Sequence, residues 1–217
     1  MHKNRIVSSF MLVMFLFAIA FGAGAPQTFA AGTNLTDVNG NWAQSQIENL
    51  AGKGIISGYT DNTFKPANNI TRAEFMVIVN RAFSYTNSAS VSFKDVKSTD
   101  WFAGEVAKAS AAGYISGYQD GTMKPNQNIT RQEVASIMTR ILKLDTSNST
   151  VTFKDAKDIP AWSVNAVAAM AKAGLIKGYP DGTFKAINPI TRGEVAAIVY
   201  SAISTDTATA TVYSQAG

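Results

Sequence analysis

The sequence predicts an all-α fold: three tandem helix-loop-helix modules packed as a pseudo-threefold bundle. Three observations point there. Short motifs recur in register: Gly58-Tyr59, Gly117-Tyr118 and Gly178-Tyr179; Ile70-Thr71-Arg72, Ile129-Thr130-Arg131 and Ile190-Thr191-Arg192; and Trp42, Trp101 and Trp162. Each set is spaced by 59 and then 61 residues, and self-similarity of this kind marks a repeat architecture. Each unit also carries an apolar stripe at helical spacing: Phe75, Ile78, Val79, Ala82 and Phe83, then Val134, Ile137, Met138, Ile141 and Leu142, then Val195, Ile198, Val199, Ala202 and Ile203. Finally, Thr-x-x-Glu opens every stripe, through Thr71 and Glu74, Thr130 and Glu133, and Thr191 and Glu194. That is a capping box, in which the Thr hydroxyl takes an amide of the first turn and the Glu reaches back to the cap amide.

The chain begins with an export signal. Lys3 and Arg5 form a basic start, an apolar run extends from Phe10 to Phe21, and small residues lead to a cut expected after Ala30. The run is short for a membrane span, and Gly22, Gly24 and Pro26 end it. Cleavage removes His2, the only histidine, and the chain has no cysteine. The mature protein therefore has no disulfide, thiol nucleophile, His general base or His/Cys zinc site, and no cofactor is implied. Loss of Lys3 and Arg5 lowers the formal net charge from +4 to +2, too weak a basic balance for a nucleic-acid binder.

Within each module an Asp (Asp37, Asp95, Asp155) precedes the Trp. A first helix is expected to start near that Trp, with Asn41 and Asp100 as N-caps and Pro160 at the start in the third copy. Its apolar positions are read as Trp42, Ile47 and Leu50; Trp101, Val106 and Ala109; Trp162, Val167 and Met170. Gly54, Gly113 and Gly174 stop it. Asp61-Asn62, Asp120-Gly121 and Asp181-Gly182 are turn pairs. Pro66 and Pro125 stiffen the loop exit, whereas Ala186 in the third copy predicts a local difference there. The modules run over residues 35–84, 93–144 and 153–203, joined by polar linkers at 84–92 and 145–152, with a disordered Ser/Thr/Ala-rich tail from 204 to 217. One hairpin is too small to bury its own stripe, so the three should share one core.

Arg72, Arg131 and Arg192 stand at the first helical position, where the helix end carries partial positive charge. A cation there is a poor choice electrostatically, and it is made three times. Two explanations remain open: an anion site built from helix amides and guanidinium, or pairing with an acid of a neighbouring module. On helix electrostatics alone, removing Arg131 should leave folding intact or slightly improved. The tryptophans are likewise either core residues or flat faces for sugar rings.

These residues resemble the S-layer homology family. The resemblance rests on the Asp and Trp, the apolar-rich first helix, the pattern Gly-Ile-Ile-x-Gly-Tyr-x-Asp-Gly-Thr-Phe-Lys-Pro and the Ile-Thr-Arg-x-Glu motif, across residues 35–203. It implies a three-pronged pseudo-trimer with grooves between modules. It also implies non-covalent anchoring to the cell wall or surface layer of a Gram-positive-type bacterium, through a secondary wall polysaccharide that commonly carries ketal-linked pyruvate. By the same resemblance Arg72, Arg131 and Arg192 are ligand-binding positions, with Trp42, Trp101, Trp162, Gly58, Gly117 and Gly178 completing the candidate set. Copy one departs with Asn62, copy two with Gln132, and copy three with Gly193 and the missing proline at 186.

An enzyme is not expected. Glycoside hydrolysis needs two facing carboxylates, but Glu74, Glu133 and Glu194 are used in caps and Asp61, Asp120 and Asp181 in turns. One Asp per loop does not make a calcium site either. The alternative is that these modules are the anchor portion of a surface-layer lattice protein or of a wall-associated hydrolase.

Overall fold

A computed structural model of the chain describes residues 34–147 and 149–214, with side chains of the last helix described to residue 204. The expected signal peptide, 1–30, lies outside the described residues. Six α-helices follow in order: α1 (Gln44–Gly52), α2 (Arg72–Ala82), α3 (Ala103–Ala111), α4 (Arg131–Ile141), α5 (Ala161–Lys172) and α6 (Arg192–Ser214). A short 3-10 turn, Ala156–Asp158, precedes α5. Among the described residues there is no β-sheet, and only three isolated bridges.

Those bridges mark the centre of the molecule. The Ile129 amide donates to the Ile70 carbonyl at 3.0 Å, the Ile190 amide to the Ile129 carbonyl at 3.0 Å, and the Ile70 amide to the Ile190 carbonyl at 3.2 Å. Three equivalent residues thus close a ring of backbone hydrogen bonds about the pseudo-threefold axis, and all three isoleucines are fully buried.

The helices pair across modules. α2 packs on α3, α4 on α5, and α6 returns to pack on α1. Each second helix therefore lays its stripe on the first helix of the next module, and the last module closes on the first. The stripes supply the core: Phe75, Ile78 and Val79, Val134, Ile137 and Met138, and Val195, Ile198 and Val199 are all buried. Polar contacts differ from pair to pair. Between modules one and two the buried Asn80 amide donates to Glu105 Oε2 at 2.8 Å and its carbonyl accepts from the Tyr114 hydroxyl at 2.7 Å. Between modules two and three the corresponding contact is Thr139 to the Ala166 carbonyl at 3.2 Å.

The capping boxes form as expected, with both reciprocal bonds present at Thr71/Glu74 and Thr130/Glu133. Thr191 and Glu194 make the same pair of contacts. Gly54 and Gly174 end the first helices, and the following Ile55 and Leu175 amides reach back to Leu50 and Met170. The opening aspartates tie each loop down: Asp37 accepts from the Phe64 and Lys65 amides, Asp95 from Met123 and Lys124, and Asp155 from Phe184 and Lys185, all at 2.7–2.8 Å.

Two expectations are corrected, and the question left open for the tryptophans is decided. α1 and α3 start two residues after their Trp, with Ala43 and Phe102 as N-caps, so Asn41 and Asp100 sit outside the cap. Asn41 instead accepts the Ala43 amide in a local turn at 2.9 Å. The tryptophans are not core residues: Trp42 is 66% exposed, Trp162 60% and Trp101 39%. The position facing inward is the next one, Ala43, Phe102 and Ser163, because it lies four residues before Ile47, Val106 and Val167 on one helix face. The loop with Ala186 does not differ from its relatives, since the Ala186 carbonyl accepts the Gln132 amide as Pro125 and Pro66 accept Ala73 and Gly193. α6 itself runs on past residue 204 to Ser214.

Gly193 stands at the second position of α6, where a glycine lowers helix propensity. A Cβ there would lie 3.0 Å from the Pro66 carbonyl oxygen, so the glycine leaves space at the joint where its own amide donates to that oxygen at 2.9 Å.

Candidate functional site

Each Arg-x-Glu motif is built into the joint between two modules. Arg72, Arg131 and Arg192 are 4%, 2% and 2% exposed. Each reaches into the loop of the next module. Arg131 Nε donates to the Phe184 carbonyl at 2.8 Å, Nη1 to Glu194 at 2.6 Å and Nη2 to the Lys177 carbonyl at 2.7 Å. Arg72 makes the equivalent bonds to the Met123 carbonyl and Glu133, and Arg192 to the Phe64 carbonyl, Glu74 and the Ser57 carbonyl. The ion pairs run 72–133, 131–194 and 192–74, a second closed ring around the axis. Of the two explanations left open for the arginines, pairing with a neighbouring module's acid is thus present in all three copies. The acid is the capping-box Glu, which serves its own helix through one oxygen and the incoming Arg through the other.

The helix amides are engaged as well. The cap amide of Thr130 goes to Glu133, the Arg131 and Gln132 amides to the Asn188 and Ala186 carbonyls, and the Glu133 amide to the Thr130 hydroxyl. The donors normally left over at a helix start are thus all engaged, two in the capping box and two in the joint to the next module.

The Gly-Tyr motif is the receptor for the arginine. Tyr118 lies 4.7 Å from the Arg72 guanidinium, Tyr179 4.6 Å from Arg131, and Tyr59 4.8 Å from Arg192. On Tyr118 and Tyr179 the hydroxyl donates to the same Glu that receives the Arg, at 2.6 and 3.1 Å. Burial first, and then the bond to Glu133, push the Tyr118 hydroxyl up to about 12, so it remains a donor. Burial raises Tyr59 and Tyr179 too. The glycine before each Tyr is needed for space. A Cβ on Gly117 would lie 2.8 Å from the Thr122 carbonyl oxygen and 2.6 Å from Phe93, at φ +75°. Gly58 and Gly178 meet the same carbonyl position at 2.9 and 2.8 Å.

Beside this joint runs a groove. Between modules three and one it encloses about 890 Å³, within the range of a small-ligand site. Trp42 and Gln46 form one wall, Lys177 and Tyr179 the other, and Arg131 and Glu194 lie in its lining. Its charged residues are two cations, Arg131 and Lys177, against one carboxylate, Glu194, which leaves the groove net positive. Lys177 is exposed, whereas Arg131 already commits three of its five N–H donors to the joint.

The structure therefore brings Trp42, Arg131 and Gly178 from the sequence-based set into one groove. Lys177, Gln46 and Ser201 line the same groove and stood outside the sequence-based set. A signal for two of them was present in the repeat itself: Lys177 stands where the other copies have Ser57 and Ser116, and Ser201 where they have Arg81 and Arg140. Among the described residues no helix is long and apolar enough to cross a membrane, and no His/Cys/Asp/Glu group could hold a metal ion.

Comparison with known proteins agrees with this architecture. A family profile described as the S-layer homology domain matches residues 34–76, 92–135 and 152–196. The chain belongs to the S-layer homology family, whose domains anchor surface proteins to the cell wall. Similar proteins include exoglucanase XynX of Acetivibrio thermocellus, 39% identical over 76% of this chain and 16% of that protein. The cellulosome-anchoring protein of the same organism is 34% identical over 67% of this chain and 34% of that protein. The surface-layer 125 kDa protein of Lysinibacillus sphaericus is 28% identical over 82% of this chain and 16% of that protein. The chain thus spans about a third or less of the length of these relatives.

Proposed function

We propose that the three modules anchor their bearer non-covalently by binding an acidic secondary wall polysaccharide, with a pyruvate ketal as the recognised anion. The observation that carries this reading is the groove between modules three and one, where an exposed Trp42 faces Lys177 in a net-positive cleft of about 890 Å³. A flat apolar ring suits a sugar face, and the cation suits the carboxylate. Arg131, Gly178 and Tyr179 shape the lining, and Arg131 acts through donors that its joint contacts leave over. Arg72 with Trp162 and Gly117, and Arg192 with Trp101 and Gly58, are the corresponding positions of the two other grooves.

Co-sedimentation with purified Gram-positive walls tests this reading, before and after acid release of the ketal pyruvate. Binding should be lost with the pyruvate. Lys177→Ala and Trp42→Ala should each weaken binding about tenfold or more while the melting temperature stays, because a charge-assisted bond contributes about 1.5–3 kcal/mol. Equal binding to depyruvylated walls would exclude the ketal as ligand.

A second reading concerns what is anchored. Relatives named as a surface-layer protein and as an exoglucanase share the triplet. This favours an anchor portion of a lattice protein or a wall-associated hydrolase over a freestanding anchor.

A further inference from the structure

The three grooves are equivalent by the repeat but not alike in the structure. The groove between modules three and one is open at about 890 Å³. At the equivalent residues of module one, the cleft lined by Ser57, Glu74, Arg81 and Arg192 encloses only about 10 Å³. The residue that differs is the same in each copy. Arg81, near the end of α2, lies over the cleft between its own helix and loop and donates to the Ser57 hydroxyl of the same module at 3.2 Å. Arg140 on α4, at the matching position, donates to the Tyr114 carbonyl at 2.7 Å. In α6 that position is Ser201, whose side chain is too short to span, and it lines the open groove. The opposite wall changes in step: Ser57 and Ser116 correspond to Lys177. In the open groove the cation has moved from the helix to the loop of the same module, so no arginine bridges helix and loop over the cleft.

We propose that the chain binds one acidic sugar terminus, not three, in the groove between modules three and one, and that Arg81 and Arg140 close the two equivalent grooves. This rests on the reading of the grooves as the glycan sites. Arg81 and Arg140 are exposed at their own positions and lie outside the buried ring of ion pairs, so shortening them opens a cleft without breaking a joint. Ser201, Lys177 and Trp42 together make a site that is complete in only one copy of the repeat.

The tryptophans report on the grooves separately. Trp42 lines the open groove, and by the repeat Trp101 belongs to the groove that Arg81 closes and Trp162 to the one that Arg140 closes. The chain has three Trp, so its three indole N–H signals in a ¹⁵N NMR spectrum can be assigned by single Trp→Phe changes. The probe is a methyl hexopyranoside bearing a 4,6-pyruvate ketal, with its methyl ester as the neutral control. In the unaltered protein only the Trp42 signal should move, and the ester should move none. Arg81→Ser combined with Ser57→Lys should add a shift at Trp101, and Arg140→Ser combined with Ser116→Lys one at Trp162. Ser201→Arg should suppress the Trp42 shift at least tenfold in affinity, with unchanged positions of the other two signals showing that the fold is intact. Movement of Trp101 or Trp162 in the unaltered protein, undiminished binding by Ser201→Arg, or no indole shift in a protein that still co-sediments with walls would each overturn the one-groove proposal and leave wall anchoring standing. Failure to co-sediment with walls at all would overturn the anchoring reading, and this proposal with it.

Discussion

At the scale of single residues, the arginine of the repeat shows how a local cost is outweighed by a distant partner. Position 131 is unfavourable for a cation when only its own helix is considered. In the folded molecule the guanidinium lies between the Tyr179 and Phe184 rings and is bonded to Glu194 and two carbonyls of the next module. Removing one partner of such a buried pair costs about 3–5 kcal/mol, because the other is left uncompensated. The gain from relieving the helix end is below about 1 kcal/mol. Arg131→Ala should therefore lower the unfolding free energy by about 3 kcal/mol or more in urea denaturation, reversing the neutral or improved folding that helix electrostatics alone suggests. Arg131→Lys should recover only part of this, since an ammonium cannot reach Glu194 and both carbonyls in one plane. A near-neutral Arg131→Ala would mean that the ring of ion pairs contributes nothing to stability. The arginine was legible in the sequence as an anomaly, because one helix suffices to show the cost. Its partner was not legible, because that lies 63 residues away in another module. The sequence left the tryptophans open between core and surface, and they face out because each stands one residue before the position that the helical period turns to the core.

At the scale of elements, capping boxes, glycine stops and Asx turns were legible because their chemistry is contained within a few residues. The loops carry a pH dependence from the same local chemistry. Asp181 accepts from the Thr183 hydroxyl and amide, and these bonds first, then Lys185, hold its carboxyl at about 2 against an ordinary 3.8. Asp61 and Asp120 are lowered for the same reason, by Thr63 and Thr122. Asp155 is lowered too: burial pushes it up, but the Phe184 and Lys185 amides outweigh that. A depressed carboxylate stabilises the fold above its unfolded value and loses that contribution as pH falls through its folded value. The melting temperature should therefore be flat from neutral pH to about pH 4 and fall between about pH 4 and pH 2. Asp181→Asn should make that decline shallower. Thermal melts across this range provide the check, and a melting temperature that rises on acidification would contradict the loop assignment. Helix pairing was the part of the element scale that stayed hidden: a periodic stripe shows which face is buried but not which helix covers it.

At the scale of the whole molecule, three closed cycles replace what a hairpin would do alone: the isoleucine backbone ring, the Arg–Glu ring and the circular helix pairing. All three depend on the third module returning to the first. The closing contacts, Arg192 to Glu74 and α6 on α1, join residues more than a hundred positions apart. A single module, residues 35–84, keeps α1 and α2 but loses the helices that cover them, α6 and α3. Phe75, Ile78 and Val79, buried in the intact protein, would face water. Each fully exposed large apolar side chain forfeits about 1.5–3 kcal/mol, against a total stability of about 5–15 kcal/mol for an ordinary domain. The isolated module should therefore be largely unfolded by circular dichroism. A two-module fragment, 34–144, retains the α2–α3 pair and the Arg72–Glu133 bridge, yet leaves α1 and α4 without partners. It should melt well below the three-module protein, which should unfold in a single transition with equal calorimetric and van't Hoff enthalpies. Independent, superimposable transitions for separate modules would mean that the rings are contacts between already stable units. A single transition lost on deleting any one module would mean that closing the circle is itself the folding event.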